Sequence, residues 1–156
     1  MGIQLSDEEV WDFVGRSHTG ILTTLRRDGR AVPLPLWFAS FDGAVWFTTP
    51  AKSRKVARIR RDPRASFLVE GGLAWRELKA VMMDGTVAIV EEESAIEHVG
   101  RALDDKYRAF RPDLGRAPDA TRKHYTSGSA TLRFTPRSWI SWDNAKIRFA
   151  RPEKTA

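Results

Sequence analysis

The sequence predicts a mainly β protein, an antiparallel barrel with a few helices around it. Short segments rich in Val, Leu, Phe and Trp are separated by tight-turn pairs such as Asp28-Gly29, Asp42-Gly43 and Gly71-Gly72. Helical periodicity is confined to a few short stretches. The glycine-rich G-x-G-x-x-G loop of doubly wound dinucleotide-binding folds is missing. Together these observations favour a closed antiparallel sheet over a parallel one.

The first half of the chain predicts two helices and a series of strands. Ser6 and Glu9 form a capping box that starts the first helix, which ends between Gly15 and Gly20. The second helix covers about 53–61 and stops at Asp62-Pro63. Four strands are expected in this half. The first covers 20–25, and the second starts at Arg30 and continues through 31–40. The third and fourth cover 44–49 and 65–70.

The second half predicts one long helix and several more strands. A capping box at Ser94 and Glu97 starts a helix that continues to about Phe110. Residues 111–128 are expected to be a loop with some helix near 122–125, and the tail from Arg151 is expected to be frayed. Residues 78–83 and 85–90 form either a hairpin or one long bent strand, and 130–135, 139–142 and 147–149 are the last strands.

Length and composition predict a single domain over residues 1–156. The chain has 42% hydrophobic residues, six Trp and no Cys, so disorder, disulfides and thiolate chemistry are excluded. Neither a membrane-length apolar run nor a secretory signal is visible, which indicates a soluble cytoplasmic protein. The net charge of +6 points to anionic partners, to a basic solvated surface, or to both.

The most informative segment is the basic helix after the strand that ends in Thr48 and Thr49. Residues 52–64 contain seven cations and a single acid, Asp62. Ser53, Arg54 and Lys55 fall in the first turn, where free N–H groups, the helix dipole, a hydroxyl and cationic donors converge. This combination suits a phosphate group, although an amphipathic surface helix with solvated cations would give the same pattern.

The segment Val32-Pro33-Leu34-Pro35-Leu36-Trp37-Phe38 is a second unusual feature. Two prolines each remove a donor from a ladder, so this strand should lie at a sheet edge. A planar heterocycle packed on it is one interpretation, and an edge protected by proline is the other. The C-terminal tryptophans Trp139 and Trp142 suit core or interface packing, and one of them could cover a ring-shaped cofactor.

The sequence contains no catalytic constellation that we recognise. His18, His98 and His124 have no metal-ligand spacing, and nothing resembles a nucleophile with its base. We therefore expect neither a metal site nor a catalytic side chain, and an enzyme built on this chain would depend on a bound cofactor. Nucleic-acid binding through the cations of 52–64 is a further interpretation, but no known nucleic-acid-binding pattern supports it.

These residues resemble the pyridoxamine 5′-phosphate oxidase-like split β-barrel superfamily, including its flavin- and deazaflavin-dependent oxidoreductases. The resemblance is carried by the Gly-Ile-Leu-Thr-Thr strand, the proline-containing strand, Phe-Thr-Thr followed by Ser-Arg-Lys, and Arg-Arg-Asp-Pro-Arg-Ala-Ser. It is strongest over residues 6–70 and continues to Trp142. It implies a six-stranded antiparallel split barrel with peripheral helices that forms a homodimer with two cofactor sites between subunits.

The resemblance also implies which residues bind the cofactor. The proline-containing strand would lie along the flavin ring, Thr48 and Thr49 would line the site, Ser53, Arg54 and Lys55 would hold the phosphate, and Trp142 would approach the ring from the partner chain. The complete set of implied cofactor-binding residues is Val32, Pro33, Leu34, Pro35, Leu36, Trp37, Thr48, Thr49, Ser53, Arg54, Lys55 and Trp142.

The implied cofactor is FMN, with coenzyme F420 as the alternative. Ser53-Arg54-Lys55 favours FMN, whereas the Arg-Arg-Asp-Pro-Arg-Ala-Ser run and the basic helix suit the acidic tail of F420. Arg137-Ser138-Trp139-Ile140 does not reproduce the segment with which the true oxidase binds pyridoxal phosphate, so vitamin B6 oxidation is not expected. The resemblance thus implies hydride transfer between the cofactor ring and a small organic substrate, or a non-catalytic module that stores or senses a flavin or haem.

Overall fold

A computed structural model of the chain describes residues 2–126 and 128–149, with the backbone alone for residues 124–126. Four α-helices are present among these residues: α1 (Asp7–Arg16), α2 (Arg54–Arg61), α3 (Glu93–Tyr107) and α4 (Asp119–Thr126). None of the described helices is long and apolar enough to cross a membrane. The tail expected to fray from Arg151 lies outside the described residues.

Seven strands form one antiparallel sheet in the order β2-β1-β5-β6-β7-β4-β3. The strands are β1 (Gly20–Leu25), β2 (Ala31–Leu36), β3 (Ala39–Phe41), β4 (Ala44–Pro50), β5 (Arg64–Gly71), β6 (Lys79–Val90) and β7 (Ser129–Asp143). The predicted class, a curled antiparallel β structure with peripheral helices, is therefore confirmed.

The two edges of this sheet meet at Trp37 and Phe38. β2 pairs with β1 at one edge and β3 pairs with β4 at the other, yet only these two residues join β2 to β3. Since extended chain spans at most about 3.5 Å per residue, the sheet has to curl until its edges are adjacent. The expected single strand over 31–40 is thus divided in two, which makes seven strands instead of the six expected.

A β-bulge bends the two longest strands. The register between β6 and β7 shifts at Asp84/Gly85, where Gly85 pairs with Pro136 and Asp84 with Ser138, so Arg137 is the extra residue. A Cβ on Gly85 would lie 2.2 Å from the Thr135 carbonyl oxygen, so only glycine fits there. Lys79–Val90 is one bent strand, the second of the two alternatives predicted for 78–90, and Ser129–Asp143 is one strand instead of the two predicted at 130–135 and 139–142.

The bulge also changes which side chains of β7 face inward. Before it, Leu132 and Phe134 point into the barrel and are fully buried. After it, the alternation is displaced by one residue, so Trp139 packs edge-on against Trp11 of α1, while Ser138, Ile140 and Trp142 face outward. Residues 147–149, expected to be a strand, follow a short 3-10 turn (Asn144–Lys146) and have no strand partner.

The barrel interior is filled by apolar side chains from the strands and closed by two helices. α1 contributes Val10 and Val14, and α2 contributes Val56 and Ile59. The capping box at Ser6 and Glu9 is present, with N···O distances of 2.8 and 3.3 Å. α3 instead lies on the outside of β3 and β4 and packs around Trp46. It begins at Glu93, one residue before the predicted cap Ser94, whose hydroxyl donates to Glu92.

The hydroxyl of Tyr107 holds the point where the two sheet edges meet. It accepts a hydrogen bond from the Phe38 N–H at 2.9 Å and lies 2.9 and 2.8 Å from the carbonyl oxygens of Phe38 and His18. Its ring stacks on Trp37 with centroids 4.5 Å apart and planes nearly parallel. The end of α3 therefore fixes both residues of the β2–β3 connection.

Beside this contact, Lys106 buries a charge. Its Nζ lies 3.9 Å from the centre of the Phe38 ring and has no hydrogen-bond partner among the described residues. Burial lowers the pKa of Lys106 from its ordinary 10.5 to about 8. Folding therefore destabilises the charged form of Lys106 relative to its neutral form.

This lowered pKa predicts a pH dependence of stability. Between pH 8 and 10.5 the folded protein releases the Lys106 proton while the unfolded chain still binds it, so the free energy of unfolding should rise with pH. Denaturant unfolding from pH 7.5 to 9.5 should show this rise in the wild type and a flatter curve in Lys106→Met. If the free energy of unfolding changes equally with pH in the two proteins, Lys106 is not the cause of the pH dependence.

Candidate anion-binding site

The first turn of α2 presents hydrogen-bond donors that no group in the described part of the chain uses. Ser53 is the N-cap, and its Oγ accepts from the Val56 N–H at 3.3 Å. The N–H groups of Arg54 and Lys55 have no hydrogen-bond partner among the described residues. The Ser53 hydroxyl can still donate its own proton, because it acts only as an acceptor in the cap. Three donors therefore surround the positive end of the helix dipole.

Cations surround this helix start without neutralising carboxylates. None of the ion pairs among the described residues includes Arg54, Lys55 or Arg58. Lys55 is half-buried, and its pKa is lowered first by burial and then by the charge of Arg58. Such an ammonium is destabilised until an anion approaches it. The arrangement therefore has the electrostatics of an anion site.

Arg58 connects α2 to the first strand. Its Nε donates to Thr24 Oγ1 at 2.8 Å, and Thr24 is almost fully buried in β1. The pKa of Arg58 is lowered by burial and then by Arg26, Arg61 and Arg54. Sequence reasoning missed Thr24, Arg26 and Arg58 as a group, because only the fold brings β1 alongside the basic helix.

The end of β4 leaves an open sheet edge next to this helix start. The β3–β4 ladder ends at the pair Ala39/Trp46; if it continued, Trp37 would lie opposite Thr48. β2 instead turns away to pair with β1, so residues 48–50 pair only with β7. The opening between the diverging strands β2 and β4 therefore leads to the first turn of α2. We call it the split.

The proline-containing strand β2 lies at the sheet edge, as predicted. The Arg26 N–H donates to the Arg30 carbonyl at 2.9 Å, and hydrogen-bonded pairs alternate along an antiparallel ladder. Pro33 and Pro35 thus occupy the positions whose N–H would point away from β1. The free edge of β2 is rich in carbonyl acceptors and poor in donors, so a heterocycle placed along it would have to offer N–H groups.

The remaining predicted cofactor residues do not all lie on the same side of the sheet. Thr48 and Thr49 point to opposite faces of β4, with Thr48 exposed and Thr49 only 8% exposed. The Trp37 ring is covered on one side by Tyr107. Trp142 is on the outer face of the sheet, roughly 40 Å along β7 from the residues that pair with the end of β4. Within one chain it is remote from α2.

The cavities of the single chain do not coincide with the predicted residues. Three cavities measure about 480, 460 and 250 Å³, and none is lined by any of the twelve residues. The split is not among these three cavities. No group of three metal-ligating side chains is found within the described part of the chain.

The fold and this site define a class: a split antiparallel barrel with a cationic, donor-rich helix start beside its open edge. A sequence model of the pyridoxamine 5′-phosphate oxidase family matches residues 6–143. The chain therefore belongs to the pyridoxamine 5′-phosphate oxidase family. No curated protein sequence matches it significantly.

Solved structures share this fold. The conserved hypothetical protein Rv2991 from Mycobacterium tuberculosis is 34% identical, with 99% of this chain and 96% of that chain covered and a TM-score of 0.79. An F420 reductase shares the fold at 21% identity, with 86% and 98% covered and a TM-score of 0.63. A FAD and haem binding protein from Mycobacterium smegmatis shares it at 15% identity, with 96% and 77% covered and a TM-score of 0.71.

Proposed function

We propose that this protein is a homodimeric oxidoreductase that binds FMN or coenzyme F420 through one split-barrel domain and transfers a hydride between the cofactor ring and a small organic substrate. The observation that carries the proposal is the first turn of α2, where free N–H groups and uncompensated cations meet beside the split. These groups fit the phosphate that both cofactors carry.

Each part of the site has a proposed role. Arg54 and Lys55 bind the phosphate, and the Ser53 hydroxyl donates to it while capping the helix. The ring lies along residues 32–37, where the β2 carbonyls accept hydrogen bonds, and Thr48 and Thr49 line the groove on the β4 side. The cofactor supplies the redox chemistry, and the protein contributes position and orientation.

A homodimer is proposed because one face of the sheet carries an uncovered apolar row. Pro35, Ile21, Leu68, Met82 and Ile140 are aligned across five neighbouring strands on the outer face. Ile140 is 59% exposed. Trp142 projects from the same face, so a second copy seated on this row would bring its Trp142 toward the open side of the split. The partner would then close the groove that one chain leaves open.

Ile140→Glu should prevent this association. A carboxylate within an apolar interface would be desolvated without a partner, so we expect the variant to be monomeric in analytical ultracentrifugation and to bind the cofactor more weakly. Ile96→Glu, which adds the same charge at an exposed position of α3, is the matched control. A dimer unaffected by Ile140→Glu would contradict the proposed interface.

The experiment that tests the function is a spectroscopic one. We expect the purified protein to bind FMN or F420 in a fluorescence titration, and the bound cofactor to be oxidised or reduced when candidate substrates are added. If neither cofactor binds, the proposed function is wrong. Binding without any substrate-dependent turnover would instead support a storage or sensing module, a role compatible with the similarity to a FAD and haem binding protein.

A further inference from the structure

The largest of the three cavities lies on the outside of the barrel, between the start of α3 and the β3–β4 turn. It measures about 480 Å³, and sites for small molecules usually measure about 300–1,000 Å³. Its floor is formed by Ala44 and Trp46 of β4 and by Arg133 and Thr135 of β7. From Ala44 to Pro50, the last residue of β4, the strand runs roughly 20 Å. The cavity is therefore separate from the first turn of α2, which follows Pro50.

One wall of this cavity is aromatic and held in place by several contacts. The Phe41 and Trp46 rings stack with their centroids 4.9 Å apart and their planes nearly parallel. The Trp46 Nε1 donates to the Phe41 carbonyl at 3.1 Å, and α3 covers Trp46. His98 of α3 meets the Phe41 ring edge-on, with centroids 4.7 Å apart. This wall offers a fixed apolar surface to a hydrophobic group of a ligand.

A guanidinium group stands beside the aromatic wall. The central carbon of the Arg133 guanidinium lies 5.6 Å from the centre of the Trp46 ring, a distance typical of cation–π contacts. None of the ion pairs among the described residues includes Arg133. Because the planar fork of a guanidinium matches a carboxylate, Arg133 is suited to bind a carboxylate of a ligand.

Two carboxylates line the same cavity. Asp42 lies in the β3–β4 turn, and Glu92 directly precedes α3, where it accepts a hydrogen bond from the Ser94 hydroxyl at 2.7 Å. Neither carboxylate forms an ion pair with another group in the described part of the chain. The two carboxylates disfavour a purely anionic ligand, and Arg133 disfavours a purely cationic one. A ligand with charges of both signs therefore fits the cavity best.

The positive and negative groups are placed at different points along β4. Arg133 pairs with Trp46, whereas Asp42 lies in the turn beyond the last pair of the β3–β4 ladder, Phe41/Ala44. Ala44 and Trp46 are already about 7 Å apart along the strand. The amine and carboxylate of a free amino acid share one carbon atom and are closer together than this. An extended dipeptide reaches about 7 Å, so its two ends can approach both groups.

We propose that this cavity binds a small zwitterion of the dipeptide type with a hydrophobic side chain. Arg133 binds the carboxylate, Asp42 and Glu92 hold the ammonium group, and the aromatic wall packs against the side chain. The proposal is independent of the proposed function, because none of the twelve predicted cofactor residues lines the cavity.

Isothermal titration calorimetry with glycyl-phenylalanine tests the charge pattern. We expect this dipeptide to bind the wild type. Its N-acetyl form lacks the ammonium group and its amide lacks the carboxylate, so each should bind about fivefold more weakly, as one partly exposed charge contact predicts. Glycyl-glycine keeps both charges without the phenyl ring and should also bind more weakly. If the dipeptide does not bind, or if any of the other three binds as tightly, the proposal is wrong.

Two variants test whether the dipeptide binds in this cavity. Arg133→Gln removes the partner of the carboxylate, and Asp42→Asn removes a partner of the ammonium group while asparagine tolerates the positive φ of this turn. Each should raise the dissociation constant about three- to fivefold. Arg101→Gln on the exposed face of α3 and Asp28→Asn in the β1–β2 turn are the matched controls and should bind like the wild type. Equal affinity in all four variants would overturn the proposal.

Each variant should also lose the preference for the charge that its side chain contacts. In Arg133→Gln the dipeptide and its amide should bind about equally, whereas Arg133→Lys, which keeps the charge, should still bind the amide more weakly. Thermal unfolding checks that the variants are folded. If Arg133→Gln does not fold, Asp42→Asn with the N-acetyl form gives the same comparison at an exposed turn. A preference for the free carboxylate that persists in Arg133→Gln would contradict the assigned contact.

A titration in the presence of FMN separates this cavity from the cofactor site. Since the cavity is remote from the first turn of α2, saturating FMN should leave the dissociation constant of the dipeptide unchanged within twofold. Competition between the two ligands would mean that the dipeptide occupies the cofactor site, and the proposal would be wrong. If the protein binds neither FMN nor F420, the proposed function fails, and the titrations without cofactor still decide whether the cavity binds the dipeptide.

Discussion

Arg54→Ala/Lys55→Ala should lower the affinity for FMN or F420 about 100-fold without unfolding the protein. Charge-assisted hydrogen bonds contribute about 1.5–3 kcal/mol each, and the exposed position of Arg54 reduces its share. A combined loss of about 3 kcal/mol corresponds to roughly a factor of 100 in the dissociation constant. The remaining Ser53 hydroxyl and helix N–H groups would account for residual binding.

The fold should be unaffected because neither side chain contributes to the core. Alanine favours helix, and removing Lys55 relieves a half-buried charge that Arg58 repels. Arg60→Ala/Arg101→Ala removes two cations elsewhere and serves as the control for net charge. Fluorescence titration measures the cofactor affinity of both double variants, and thermal unfolding measures their stability. Unchanged cofactor affinity in Arg54→Ala/Lys55→Ala would exclude the first turn of α2 as the phosphate site.

Tyr107→Phe should lower the free energy of unfolding by about 2 kcal/mol. The ring and its stacking on Trp37 are kept, but the buried Phe38 N–H loses its acceptor, and an unsatisfied buried group costs about 1–3 kcal/mol. For a protein of this size the melting temperature should fall by about 4–8 °C. Chemical denaturation measures the free energy directly.

Hydrogen exchange tests the location of this effect. The Phe38 amide should exchange much faster in Tyr107→Phe than in the wild type, because its only side-chain acceptor is removed. Ser138→Ala deletes an exposed hydroxyl and should change stability by less than about 0.5 kcal/mol. If both variants unfold alike and the Phe38 amide stays protected, the hydroxyl does not hold the β2–β3 connection.

Local sequence signals were sufficient to predict several elements of the fold. The capping box of α1, the edge position of β2 and the helix after residue 53 were all predicted, because caps and prolines act on their immediate neighbours. The turns at Asp28-Gly29 and Asp42-Gly43 were predicted for the same reason, and the structure gives Asp42, Gly43 and Gly29 positive φ values. Such signals need no knowledge of distant residues.

Other features depend on contacts between distant parts of the chain. Nothing local marks Trp37-Phe38 as the break between two strands, because the segment stays apolar throughout; the break is held by Tyr107, 69 residues away from Phe38. The bulge at Arg137 depends on the fit of Gly85 against Thr135. Thr24, Arg26 and Arg58 come close together only because the fold places β1 beside α2. The roles of the twelve predicted cofactor residues stay predictions, and Arg54→Ala/Lys55→Ala tests two of them.

The extra residue at Arg137 has a consequence for how related sequences should be compared. Deleting one residue at this position would restore the alternation of β7 and exchange the inner and outer sets of the last six residues of the strand. Trp139 and Ser141 would point outward, and Ile140 and Trp142 would be forced against α1. An alignment gap at residue 137 therefore signifies an inverted strand surface, whereas a gap of the same size in the β1–β2 turn would alter only a loop.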